Sequence, residues 1–278
     1  MSKGIVWKIG ALFAVLTSSV LTTGAHAATL AEIKARGELI CGTQNATAPY
    51  AYQDPKTRTF VGYDVDMCHA LAAGLGVALE HKPMSTEARI AELDMGRVDL
   101  VAGSMTYLPQ RAQQVDFSLQ YLQDAIRVLV KKKSGVTDIA QLKGARVCAT
   151  SGSGSAAIAG QVLKQAKIIT FSDIAACYLA LQDEKVDGVV GGELGLIRFQ
   201  NNTKNGDDPT VLLPQPVFIE HMGIVVKKGN APLLAAINQV ITQMDRSGAL
   251  SAIYDKWLGS QSIYKLTRTF KVEPVDQP

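Results

Sequence analysis

Two stretches carry side chains suited to gripping a small anion. The first runs Thr150-Ser151-Gly152-Ser153-Gly154-Ser155 between a predicted strand and a predicted helix. Such a loop turns backbone N–H groups and hydroxyls toward the positive end of a helix, where a carboxylate or phosphate is stabilised. It lacks the Gly-Lys-Ser/Thr ending of a nucleotide P-loop and the spacing of a dinucleotide fingerprint, which argues against ATP and against NAD. The second stretch, residues 103–111, sets Ser104 and Thr106 on one side of a strand. Pro109 suits a first helical turn, and Arg111 follows it. A guanidinium near a helix start gains nothing from the helix dipole. A bidentate contact to an anionic group accounts for it; the alternative is a surface arginine whose stem lies on apolar residues. Asp64 and Asp66 flank Val65 at a predicted helix start and read as cap and dipole complement rather than as catalytic acids.

Hydrolytic signatures are missing. There is no Gly-x-Ser-x-Gly elbow and no His-Glu-x-x-His. His69, His81 and His221 are scattered, and Glu193 and Asp99 serve acid–base work only if the fold brings them together. The reading therefore names no catalytic residue, no metal and no cofactor. Cys41, Cys68, Cys148 and Cys177 are spaced too widely for a compact zinc knuckle. They divide into an early and a late pair, so Cys41–Cys68 and Cys148–Cys177 are the expected disulfides, with free buried thiols as the alternative.

The elements that must position these groups alternate. Residues 38–43, 77–82 and 98–102 read as strands, with helices near 64–76 and 87–95 between them. The pattern starts afresh with strands at 125–131, 145–149, 168–171 and 186–190, and helices from 156 and over 173–184, the last with Ser172 as its cap. A strand at 222–226 and helices at 232–244 and 248–258 follow, and residues 260–278 read as a surface tail. Strand–helix–strand with short links predicts an α/β fold of parallel sheets with crossovers, in two similar lobes.

Lys3 and Lys8 flank the start of an apolar run, and Ala25 and Ala27 follow it as a small-x-small site. Residues 1–27 read as a signal peptide that sends the chain across the inner membrane to the periplasm, where disulfides form. The run is short against the ~20 residues that a membrane span needs. A net charge of +3 with no basic block argues against nucleic acid. A hydrophobic content of 47% suffices for a buried core.

Four pieces, in order, resemble the periplasmic solute-binding proteins of family 3, which serve polar amino acid ABC transporters. They are Phe60-Val61-Gly62-Tyr63-Asp64-Val65-Asp66; Thr106 through Arg111 with Val115-Asp116-Phe117-Ser118; the loop 150–155; and Ile253-Tyr254-Asp255-Lys256-Trp257-Leu258-Gly259. The resemblance implies a type II binding-protein fold: two lobes, each a mostly parallel sheet flanked by helices, joined by two hinge strands. Lobe one is then 28–120 plus 221–259, lobe two is 121–220 and the tail is 260–278, with hinges near 120–125 and 218–223.

It also implies roles. Arg111 clamps the ligand carboxylate. Ser104, through its backbone, and Thr106 hold the carboxylate or amino group. Ser153, with Ser151 and the N–H groups beside it, holds the carboxylate from lobe two. Tyr50 and Tyr52 line the side-chain pocket, and Gln44 faces the ligand side chain. Many members place an Asp where this chain has Gly192, to pair with the ligand ammonium, so Glu193 is the expected substitute. A neutral Gln44 disfavours basic ligands and favours glutamine, glutamate, aspartate or an analogue. The implied partners are that polar amino acid and a membrane permease, with the chain a monomer that captures its ligand by cleft closure. A dehydratase or lyase on the same scaffold, or a sensor for a separate receptor, are the rival readings.

Overall fold

The computed structural model describes residues 1, 28–201 and 207–276. The expected leader, apart from Met1, lies outside these residues. Helix α1 (Leu30–Arg36) is capped by Thr29 in a reciprocal arrangement with Glu32. Strand β1 (Glu38–Gln44) follows, then a small sheet of β2 (Ala46–Thr47), β3 (Ala51–Gln53) and β4 (Phe60–Val61). Next come α2 (Tyr63–Leu75), β5 (Ala78–Met84), α3 (Ala88–Asp94), β6 (Leu100–Thr106) and the single turn α4 (Pro109–Ala112). Asp64 is not the cap of α2; Gly62 holds that position. The Asp64 side chain is buried instead, and accepts hydrogen bonds of 2.7 Å from Ser104 Oγ and 2.7 Å from Tyr121 OH.

Strand β7 (Val115–Lys131) is 17 residues long, roughly 55 Å at about 3.3 Å per residue. It extends well ahead of the strand predicted at 125–131, because its earlier residues pair with a strand about a hundred residues away in sequence. Then come β8 (Arg146–Thr150), α5 (Gly154–Val162), β9 (Lys167–Phe171), α6 (Ile174–Gln182), β10 (Gly188–Gly192), α7 (Glu193–Asn201) and β11 (Thr210–Leu212). Asp173, not Ser172, caps α6 by accepting from Ala176 N. Strand β12 (Phe218–Lys227) and helices α8 (Ala231–Ser247) and α9 (Ala249–Leu258) complete the element order.

The main sheet runs β5-β1-β6-β12-β7-β10-β8-β9, with β11 beside β7. At one end β5, β1 and β6 are parallel; at the other β10, β8 and β9 are parallel. Between them lie β12 and β7, antiparallel to each other and long enough to belong to both ends. Each parallel group has its own core. Leu39, Leu71, Leu100, Ile224, Ile237 and Leu250 pack at the first end under α2, α8 and α9. Val128, Val147, Ile158 and Val190 pack at the second. A disulfide joins strand to helix within each end: Cys41 of β1 to Cys68 of α2, and Cys148 of β8 to Cys177 of α6.

The tail is not a loose surface segment. Phe270 and Val275 are buried, and Arg268 pairs with Asp245 of α8. Gln120 N donates to Glu273 O at 2.8 Å, Gln120 Nε2 donates to Lys271 O at 3.2 Å, and Pro274 bridges Leu119. Residues 260–276 thus strap the middle of β7. Isolated apolar residues among Thr, Lys and Pro carry no period, which is why the sequence shows no element there. No described helix is long and apolar enough to cross a membrane.

Candidate ligand-binding site

A cavity opens where the two ends of the sheet face each other. It holds about 560 Å³ free of protein atoms, counting its open mouth. Its polar lining sits where parallel strands end: Gln44 closes β1, Ser104 and Thr106 end β6, Thr150 ends β8 and Gly192 ends β10. Ligands of open α/β sheets bind beyond these carboxyl ends, where the crossovers leave a crevice.

One wall is cationic. Arg89, on α3, is 2% exposed and lines the cavity. Its Nε donates to Thr86 O at 2.8 Å and its Nη2 to Gly152 O at 3.2 Å, while Nη1 donates to Gly103 O. Arg111 donates from Nη1 to Thr106 O at 3.0 Å and from Nη2 to Gly152 O at 2.9 Å. Both guanidiniums therefore reach from the first end to the β8–α5 loop of the second. Neither forms an ion pair with a described residue; their acceptors are carbonyls. Burial and the neighbouring Arg111 pull Arg89 down to about 9, so it keeps its charge at neutral pH. Burial also lowers Arg111.

Beside this wall, Ser153 caps α5 by accepting from Ala156 N at 3.0 Å, and Gly154 and Ser155 of its first turn line the cavity. The fit is close. A Cβ on Gly154 would lie 2.4 Å from Thr106 Oγ1 and 2.9 Å from Glu220 Oε1.

The lining also holds an acid, with a second one behind it. Glu220, on β12, is 3% exposed and lines the cavity. Asp124, on β7, stands directly opposite it in the ladder. Thr106 Oγ1 donates to Glu220 Oε1, and Tyr50 OH donates to Asp124 Oδ2. Asp124 Oδ1 accepts from Ala125 N at 2.7 Å. Burial, then the charge of Glu220, pushes Asp124 up to about 8. Burial raises Glu220 too, against the pull of Thr106 and the two arginines. Below the cavity floor, Asp64 is raised to about 6 by burial, and its two hydrogen bonds lock Ser104 and Tyr121 in place.

Of the residues singled out from the sequence, the structure brings Gln44, Tyr50, Ser104, Thr106 and Ser153 to the cavity lining. Gln44 Nε2 donates to Gly103 O at 3.0 Å. Four residues stand elsewhere. Arg111 is engaged by carbonyls beside the cavity. Ser151 Oγ donates to the Glu87 carboxylate across the cleft. Tyr52 stacks edge-on with Trp257 at 6.4 Å, with Arg198 over its ring. Glu193 points at Arg127, Nε to Oε1 2.9 Å, and does not line the cavity. The sequence reading passed over Arg89, Thr86, Asp124 and Glu220. Arg89 had a signal: it sits four residues before Leu93, a spacing that puts both on one helix face. Asp124 and Glu220 are lone acids in strand runs, and nothing local marks them as neighbours.

The model for bacterial extracellular solute-binding proteins, family 3, matches residues 39–260. The chain belongs to that family. This family 3 chain is 28% identical over 233 residues to the L-cystine-binding protein TcyJ of Escherichia coli strain K12, across 83% of itself and 86% of TcyJ. It is 29% identical over 234 residues to the ABC transporter glutamine-binding protein GlnH of Bacillus subtilis strain 168, across 83% of itself and 84% of GlnH. Among solved structures, it resembles the ancestral amino acid-binding protein AncCDT-1, a precursor of cyclohexadienyl dehydratase. That match has a TM-score of 0.75 and 29% identity, across 83% of this chain and 99% of the other. The fold is the two-lobed one of these binding proteins, with β7 and β12 as the strands that join the lobes.

Proposed function

We propose that the chain captures a polar α-amino acid by cleft closure and delivers it to the membrane permease of an ABC importer. The observation that carries this is a cavity lined by a buried guanidinium, Arg89, and a buried carboxyl, Glu220, a match for a zwitterion. Lobe one is 28–120 plus 221–259 and lobe two is 121–220, so the cavity draws on both. The contacts from Arg89 and Arg111 to Gly152, and from Ser151 to Glu87, describe a closed arrangement. Closure that requires both lobes to grip one ligand shifts the open–closed population on binding. The ligands named for TcyJ and GlnH, cystine and glutamine, support a polar amino acid here. Removal of residues 1–27 after export completes the reading.

Native mass spectrometry of the protein as purified, followed by a thermal-shift panel of amino acids and organic acids, tests it. A bound amino acid, or a selective rise in melting temperature with one, is the expected result. A panel in which no amino acid stabilises the protein overturns the reading. An enzymatic reading on this scaffold has one observation in its favour, the buried acid Glu220 in the cavity lining with Asp124 behind it. A ligand recovered chemically unchanged after prolonged incubation with the protein rules it out.

A further inference from the structure

Gly192, in the cavity wall, has no room for a side chain. A Cβ there would lie 2.5 Å from Asp124 Oδ2, 2.9 Å from Tyr50 OH and 3.5 Å from Glu220 Oε2. The space into which a residue 192 side chain would project is already taken by carboxylates reaching in from β7 and β12. Strand β10 therefore presents no acid of its own at this point, and Glu193, next in the chain, is occupied by Arg127.

Glu220 has what a cation site needs. Its side chain is buried, it lines the cavity, and Thr106 Oγ1 fixes one oxygen. The other oxygen, Oε2, has no hydrogen-bond partner among the described residues and lies toward Gly192, another lining residue. Asp124 stands across the ladder from it, held by Tyr50 OH and by the Ala125 and Leu194 N–H groups. Two carboxyl groups facing each other in a dry site resist joint ionisation unless a proton or a cation compensates them. Arg89 and Arg111 favour the charged form of Glu220 from nearby but do not pair with it, because their hydrogen bonds go to carbonyls.

Resting on the amino-acid reading above, we propose that Glu220, backed by Asp124, holds the protonated amine of the ligand, in place of any residue at position 192. The amine is then gripped by the two strands that connect the lobes rather than by β10. The ligand carboxylate lies toward Arg89 and the first turn of α5. The substrate class is correspondingly narrow: solutes with a free cationic amine, and not the matching deamino acids.

The test is isothermal titration calorimetry with matched pairs: L-glutamine and glutaramate, L-glutamate and glutarate, L-cystine and 3,3′-dithiodipropionate. Wild type is expected to favour the amine-bearing member of at least one pair by about 10- to 100-fold, the loss typical of a charge-assisted hydrogen bond. Glu220→Gln should bring that ratio close to one while still binding the deamino acid. An unchanged ratio in Glu220→Gln overturns this inference and leaves the amino-acid reading standing. Binding of no amine-bearing probe by wild type overturns the amino-acid reading itself, and this inference with it. A crystal structure of wild type with the bound amine decides the matter even if Glu220→Gln fails to fold. Nitrogen within hydrogen-bond distance of the Glu220 carboxylate supports the assignment, and nitrogen held elsewhere sinks it.

Discussion

Replacing Gly154 by alanine should raise the stability of the protein and weaken its ligand binding, two effects of opposite sign from one methyl group. Gly154 is the first residue of α5, with φ outside the left-handed region. Alanine there narrows the freedom of the unfolded backbone, worth about 0.4–1 kcal/mol. The added Cβ, however, would stand 2.4 Å from Thr106 Oγ1 and 2.9 Å from Glu220 Oε1. Thr106 belongs to β6 and α5 to the opposing lobe, so the overlap with Thr106 exists only when the cleft is shut. Thr106 Oγ1 cannot swing away freely, because it is bonded to Glu220. Overpacking of this kind costs about 1–3 kcal/mol, which converts to a roughly 5- to 150-fold rise in Kd. Calorimetric titration with the ligand identified for wild type gives the affinity. Thermal unfolding of the ligand-free variant gives the stability, and small-angle scattering reports whether the compact ligand-bound form is reached. Gly154→Ala with wild-type affinity and a wild-type scattering profile would refute the view that the cleft closes onto this glycine.

Arg89→Met keeps the stem packed on α3 and removes the cation from the cavity wall. Affinity should fall about 10- to 100-fold with the circular dichroism spectrum intact, and titration calorimetry checks it. The pH dependence of stability should carry the mark of Asp124. Its folded pKa is raised to about 8 from an ordinary carboxylate value, so between these limits the folded chain holds a proton that the unfolded chain has released. Stability therefore falls as pH rises through this window. Denaturant unfolding from pH 6.5 to 8 should show that slope in wild type and a shallower one in Asp124→Asn; equal slopes would contradict the assignment. Truncation after Gly259 removes the burial of Phe270 and Val275 and the Arg268–Asp245 pair. About 3 kcal/mol of lost apolar burial should lower the melting temperature by roughly 6–12 °C, measured by calorimetry.

The alternation of strands and helices was legible because each parallel strand is a short apolar run bounded by polar links, and β6 is buried at every residue. Ser104, Thr106, Ser153, Gln44 and Tyr50 could be singled out because hydroxyls and amides at strand ends have a local signature. Glu193 was misplaced for a local reason as well: it follows the strand end in sequence, but Arg127 on the neighbouring antiparallel strand claims it. Asp124 and Glu220 become partners through a ladder that joins residues 96 positions apart. No period or motif within either strand encodes that pairing. The tail escaped notice because a few anchors, Phe270, Val275 and the backbone at Gln120, hold it without regular structure.

The path of β12 makes one end of the sheet contiguous in sequence and the other split. The strands β8, β9, β10 and β11 and their helices come from one contiguous stretch, with the end of β7 beside them. That stretch can bury its own core as soon as it is complete. The first group, β1, β5 and β6, lacks a neighbour and a cover until β12, α8 and α9 arrive more than a hundred residues later. Closing so long a loop is entropically slow. The lobe completed last along the chain is thus the one begun first, because Leu39, Leu71 and Leu100 meet Ile224, Ile237 and Leu250 only near the end of the sequence.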